Sequence, residues 1–218
     1  IPDWARDPET RLPRGFYCAR DSETWLPMGL YLPYDDPENT WAAFVRAAVA
    51  RYAGRIEHWI IWNEPDVWDA NNRGYTWPGT VEDLARLVRV AYLSARQANP
   101  DAVLHLPAMA HWWDVGYGRE LYFRRLLRAL AGDPEAAAHG FYFDVATAHF
   151  YFNPTQMFEL IELYRGILAE FGMGDKPLWL VETNAPPSQD AAWPVETPSK
   201  LISLREQAAY IPQALALA

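Results

Sequence analysis

The chain has 218 residues, half of them hydrophobic and 22% charged, with 11 tryptophans and one cysteine. That length suits a single core and one domain spanning residues 1–218, and the composition is that of a folded globular protein. A net charge of −9 argues against a nucleic-acid backbone as partner and suits a neutral ligand. No apolar run approaches the ~18–20 residues that span a bilayer, and no basic-then-apolar leader precedes Ile1, so neither a membrane nor a cellular address is indicated. The lone Cys18 excludes an internal disulfide and has no catalytic partner nearby in the sequence.

Residues 1–38 hold Pro, Asp, Gly and aromatic residues without a period and read as a long loop ahead of the first helix. From Asn39 onward, Trp41, Phe44, Val45, Ala48, Val49 and Tyr52 recur at helical spacing, and Gly54 stops them. An apolar strand over about 55–62 then ends in Asn63-Glu64-Pro65, because Pro65 has no amide hydrogen and biases Glu64 away from helix. A polar, aromatic loop leads to Thr80, which caps a helix carrying Leu84, Leu87, Val88, Ala91, Tyr92 and Ala95 on one face. A strand over about 102–110 runs into His111-Trp112-Trp113. The next helix, from about Arg119, carries Leu121, Leu126, Leu127 and Leu130 and stops at Gly132-Asp133-Pro134. A strand over about 143–151 ends in His149-Phe150-Tyr151. Asn153-Pro154 opens a helix as cap and first position, with Phe158, Ile161, Leu168 and Phe171 expected inward and Gly172 as the stop. The strand over about 177–182 ends at Glu182, and a Pro-rich loop containing Trp193 follows. Ser203-x-x-Glu206 is a capping box for a last helix, which Pro212 is expected to kink or end early.

Strict alternation of strand and helix without hairpin signals implies a parallel sheet covered by helices, either a (β/α)8 barrel or a doubly wound sheet. Most tryptophans fall in the opening loop or in strand-to-helix connections (Trp62, Trp68, Trp77, Trp112, Trp113, Trp193), which in a barrel line the C-terminal, active face. Glu64 and Glu182 stand at the tips of two such strands. A pair of carboxylates facing one mouth is the minimum for cleaving a glycosidic bond, one protonating the leaving oxygen and the other attacking the anomeric carbon or activating water. Tryptophan faces suit flat sugar rings. If Glu182 points into the barrel, strand parity takes Leu178 and Leu180 inward and turns Trp179 and Val181 to the helices. His149 and Tyr151 share one parity and face the same mouth, where a tyrosine can hydrogen-bond a carboxylate. His58 and His105, inside strands, read as packing residues, whereas His111 and His149 at strand ends are candidates for ligand contacts. No His-x-His, His-Glu-x-x-His or Cys pair points to a metal, and no glycine-rich phosphate loop points to a nucleotide cofactor.

Trp62-Asn63-Glu64-Pro65 after an apolar strand, with a later strand ending in Glu182, resembles the clan A glycoside hydrolases. The helix Phe44–Tyr52 leading into this motif is most similar to family 39, with family 5 as the neighbour. The resemblance covers about residues 38–184. It implies a retaining (β/α)8 barrel acting on a glycoside, oligosaccharide or polysaccharide. Glu64 would be the general acid/base and Glu182 the nucleophile. Asn63 would contact the substrate 2-hydroxyl, and His149 and Tyr151 would line the site. By their places at strand ends and in the loops that follow, His111, Trp112 and Trp193 are further candidate substrate contacts. In that frame the chain covers about strand 4 to helix 7, a partial barrel incomplete at both ends. Its edges and inner face are then expected to be covered by further chain segments or by another copy. The alternative is a degenerate carbohydrate-binding or interaction protein that kept the loops and lost the complete barrel.

Overall fold

In the computed structural model, which describes residues 20–72, 74–190 and 201–217, helices and parallel strands alternate. Helix α1 (Thr40–Tyr52) starts on Asn39, whose side chain accepts the Ala42 amide, and it buries Trp41, Ala42, Val45, Ala48 and Val49. Strand β1 (His58–Ile60) leads to α2 (Val81–Ala98), where Thr80 and Asp83 cap each other's backbone amides reciprocally. After β2 (Val103–His105) come a short α3 (Trp112–Gly116), α4 (Tyr122–Ala131) and a 3-10 helix over Ala136–Tyr142. Strand β3 (Ala146–Tyr151), α5 (Pro154–Glu170), β4 (Leu178–Asn184) and α6 (Leu204–Leu217) follow.

β1 pairs with β2 and β3 with β4, both in parallel. Isolated bridges, His105 with Val145 and Met109 with Ala148, join β2 to β3. The strands therefore lie side by side in chain order. One face is covered by helices: Leu104, Leu106, Ala146, Ala148 and Phe150 belong to a single core with Leu84, Leu87, Leu126, Tyr164 and Leu168. Among the described residues, the other face is open. There Trp179 stacks on His58 (4.8 Å) and meets His105 edge-on (4.9 Å), while Ile60 and Trp179 remain 50% and 44% exposed.

Several expectations change. The first two strands are shorter than their apolar runs, at three residues each. Pro107, lacking an amide hydrogen, interrupts the ladder that the second run would otherwise extend. The parity expected for β4 is reversed below Glu182: Leu178 and Leu180 pack on the helical core, and Trp179 faces the open side. The cause is a β-bulge. Leu180 is paired with Ala148, but His149 is paired with Glu182, which leaves Val181 as the extra residue. Thr183 then turns back to the helix side, its hydroxyl 2.5 Å from the Tyr210 hydroxyl of α6. On α5, Phe158 is 49% exposed, because Met157, Leu160, Tyr164, Ile167 and Leu168 fill the inward stripe instead. Helix α6 runs through Pro212 to Leu217. Pro212 and Ala208 are both exposed, so water can take the carbonyl that the proline leaves without a donor.

The described part of the loop ahead of α1, from Arg20 onward, is pinned down. Leu26 and Leu30 are buried, and Arg86 of α2 donates from Nε to the Leu30 carbonyl at 3.0 Å. Gly29 has φ +70°, and a Cβ there would lie 2.3 Å from the Glu38 carbonyl oxygen. Among the described residues, no helix is long and apolar enough to cross a membrane.

Candidate active site

Glu64 stands just past β1 with φ 42°, a left-handed conformation uncommon for anything but Gly, Asn or Asp. Its surroundings hold it there. The Glu64 amide donates to the Ala108 carbonyl (2.9 Å), and its own carbonyl accepts the Val67 amide (3.3 Å) and the Thr76 hydroxyl (3.3 Å). Two residues on, the buried Asp66 accepts the Ala110 amide on Oδ1 (2.8 Å) and the His111 amide on Oδ2 (2.7 Å). The carboxylate thus ties the loop after β1 to the loop after β2. Burial pushes the Asp66 carboxyl up to about 6, against the pull of those two amides.

The β3 and β4 strands bring the remaining groups. His149 Nδ1 lies 2.9 Å from Glu64 Oε1 and 3.5 Å from Glu182 Oε2. The Tyr151 hydroxyl donates to the same Glu182 Oε2 at 2.5 Å. Burial, together with the Glu182 carboxylate, raises the Tyr151 pKa, so that hydroxyl keeps its proton for the bond. One side-chain atom from each of Glu64, His149 and Glu182 lies within 4.8 Å of the other two. Glu64 is the more enclosed carboxylate, its side chain 18% exposed against 46% for Glu182. Beside them an open cavity of about 540 Å³ is lined by Trp62, Asn63, Thr76, His149, Val181 and Glu182. Two carboxylates, an imidazole and a phenol at such distances can donate and take protons or attack an electrophilic carbon. Among the described residues, Glu64, His149 and Glu182 are also the set whose atoms could close on a cation.

The residues singled out in the sequence fare differently. Glu64, Glu182, His149 and Tyr151 come together, and Asn63 borders the cavity while its carbonyl accepts the Thr76 hydroxyl at 2.6 Å. The His111 ring is stacked on Phe150 (5.6 Å between centroids), and its Nδ1 is buried with no partner among the described residues. Burial lowers the His111 pKa to about 4, the Glu64 charge pulling the other way. Trp112, 41% exposed, meets the Tyr151 ring edge-on at 6.0 Å and so stands at the rim. Trp193 lies outside the described residues. Sequence reasoning passed over Asp66, Thr76 and Val181. Asp66 directly follows the Asn-Glu-Pro motif, which is a signal of sorts, whereas Thr76 and Val181 carry none.

No family model and no curated protein matches the chain. Solved structures do. A glucosidase from Croceicoccus marinus superposes with a TM-score of 0.62 at 14% identity, covering 80% of this chain and 34% of its own. An endo-beta-1,3-glucanase of family GH128 (subgroup I) from Amycolatopsis mediterranei, solved with laminaritriose, gives 0.50 at 21% identity, covering 82% and 61%. The chain is thus a mixed α/β protein sharing its fold with glycoside hydrolase structures, and it spans only a part of either one.

Proposed function

We propose that this chain carries the catalytic centre of a retaining glycoside hydrolase, with its four strands in the places of strands four to seven of a (β/α)8 barrel. The observation that carries the reading is the approach of Glu64 and Glu182, from two different strand ends, to within 4.8 Å with His149 between them. Retaining enzymes hold their two carboxyl groups ~5–5.5 Å apart, whereas inverting ones leave ~6.5–9.5 Å for a water. The close approach favours double displacement. Glu182 attacks the anomeric carbon while Glu64 protonates the departing oxygen; Glu64 then takes a proton from the water that releases the glycosyl-enzyme. The Tyr151 hydroxyl occupies Glu182 Oε2 and leaves Oε1 for attack. The hydrogen bond between His149 Nδ1 and Glu64 Oε1 orients the acid. Asn63, at the cavity edge, is placed to meet a substrate hydroxyl.

The open face of the sheet, with Ile60 and Trp179 uncovered, is where the rest of a barrel would pack, from further chain or from a second copy. Sedimentation of the isolated chain tests this: a folded monomer with a cooperative melt would speak against it. The endo-beta-1,3-glucanase neighbour makes β-glucosides the first to try. A panel of 4-nitrophenyl glycosides tests the function itself. Glu182→Ala should abolish turnover of every substrate. Glu64→Ala should keep cleavage of those with good leaving groups and gain rate with azide. Equal loss on good and poor leaving groups would sink the assignment, and binding without any turnover would favour a carbohydrate-binding protein. Early NMR of the product anomer checks retention.

A further inference from the structure

The loops after β1 and β2 carry aromatic side chains that the core does not use. Trp68, four positions past Glu64, is 42% exposed, and Tyr117, just beyond α3, is 63% exposed. The rings of Trp113 and Tyr117 are parallel, 1° apart in plane and 6.2 Å between centroids. Trp68 stands across both at 75°, its ring 6.1 Å from Trp113 and 5.2 Å from Tyr117. The three make a corner, with Trp68 standing across a stacked Trp113–Tyr117 pair.

The corner is held in place by buried polar groups. Asp114 of α3, fully buried, accepts the Tyr122 amide at 2.6 Å and pairs with Arg125 at 3.3 Å, which fixes the turn that bears Trp113 and Tyr117. The Arg119 guanidinium lies 5.1 Å from the Trp68 ring centroid, with Nε 3.6 Å from Asp114. Asp66 fastens the Trp68 loop to residues 110 and 111 through their amides. Trp112, next in the chain to Trp113, meets Tyr151 edge-on, and the Tyr151 hydroxyl holds Glu182. Trp112 and the corner thus stand on the loops after β1 and β2, at the end of the sheet that carries Glu64 and Glu182.

We propose that the Trp68–Trp113–Tyr117 corner binds sugar units of the leaving group beyond the scissile bond, so that the substrate is an oligosaccharide or polysaccharide chain. The inference rests on the glycosidase reading. In that reading Glu64 protonates the leaving oxygen, and Trp68 stands on the same loop as Glu64, so the corner lies on the leaving-group side. A pyranose offers an apolar C–H face to an aromatic ring and keeps its hydroxyl edge in water, which matches rings that are flat and partly exposed. A small apolar aglycone would instead call for an enclosed apolar pocket, and this corner is open. Arg119 already faces the buried Asp114, so the corner does not call for an anionic sugar.

The test compares long and short leaving groups on the complete protein. kcat/KM is measured for oligosaccharides of two to six units, and for the 4-nitrophenyl glycoside, of whichever sugar the panel shows to be turned over. The long-to-short ratio should fall about tenfold in Trp68→Ala and in Tyr117→Ala, as expected for one lost ring contact, and Trp68→Phe should restore most of it. If the rings only pin the loops together, both substrates slow alike and the ratio stays put, which overturns the proposal. In Glu182→Ala, fluorescence titration should show the longest chain losing about tenfold in affinity on removal of Trp68, and no loss there also overturns it. Failure of every glycoside in the unaltered protein condemns the glycosidase reading itself, a distinct outcome from a flat ratio.

Discussion

Asp66 offers a test of the site's construction that needs no substrate. Its carboxyl is held at about 6 by burial against an ordinary 3.8, which amounts to about 3 kcal/mol spent on keeping it ionised at neutral pH. The folded state binds the Asp66 proton more tightly than the unfolded chain does. Between pH 3.8 and 6 the folded state therefore carries more protons, and this group's contribution to stability falls as pH rises through that window. His105 and His111 act in the opposite sense. Burial lowers both to about 4, so the unfolded chain binds more protons from pH 4 to 6.5, and their contribution rises with pH. The raw profile mixes the two, and the difference between unaltered protein and Asp66→Asn isolates the carboxyl. At pH 3.5 the asparagine should cost about 1–3 kcal/mol, because its amide nitrogen cannot accept the second of the two backbone amides. By pH 7.5 the variant should have regained about 2–3 kcal/mol relative to the parent. Urea unfolding followed by tryptophan fluorescence at both pH values measures this. A difference that does not change with pH would refute the buried, charge-bearing clamp.

Tyr151→Phe removes the donor to Glu182 and should lower kcat/KM about 10–100-fold, the worth of one hydrogen bond to a charged group; a change below about twofold would argue that the bond is idle. His111, its pKa lowered to about 4 by burial, should show in Asp66→Asn, where the neighbouring carboxyl no longer titrates, imidazole NMR resonances without a protonation step between pH 5.5 and 8, whereas such a step would mean that the ring is open to solvent. Gly29→Ala, forced into φ +70° and onto the Glu38 carbonyl, should cost more than about 2 kcal/mol by urea unfolding and loosen the loop that holds Leu26 and Leu30.

Much of the helix layer is legible in the sequence because its signals are local. Asn39, Thr80 with Asp83, Asn153 before Pro154, and Ser203 with Glu206 all cap the helices they precede. The two glutamates are legible for a related reason, since each closes an apolar run at a point where the chain turns polar. The parity of His149 and Tyr151 also holds, since both reach Glu182. What escapes the sequence is whatever depends on a partner far along the chain. The Asp66 carboxylate finds its amides 44 and 45 positions away, and the aromatic corner joins Trp68 to residues on the next loop.

The face of β4 escapes for a different reason. Leu178-Trp179-Leu180-Val181 is apolar at every position, as strands buried on both faces tend to be, so no alternation marks which side each residue takes or where one is extra. Counting back from Glu182 by twos then gives the wrong face for Leu178 and Leu180. Were the ladder regular from Leu178 onward, Glu182 would join those leucines against the helix layer, near Tyr210. A carboxylate there would have to be desolvated among apolar groups. The bulge at Val181 removes that conflict: the leucines stay in the core, Glu182 meets His149 and Tyr151, and Thr183 takes the place beside Tyr210. Glu64 reaches the same point by another local departure, its positive φ just past β1. Each carboxylate thus sits at or directly beside a departure from regular strand geometry, and a two-residue period cannot register either departure.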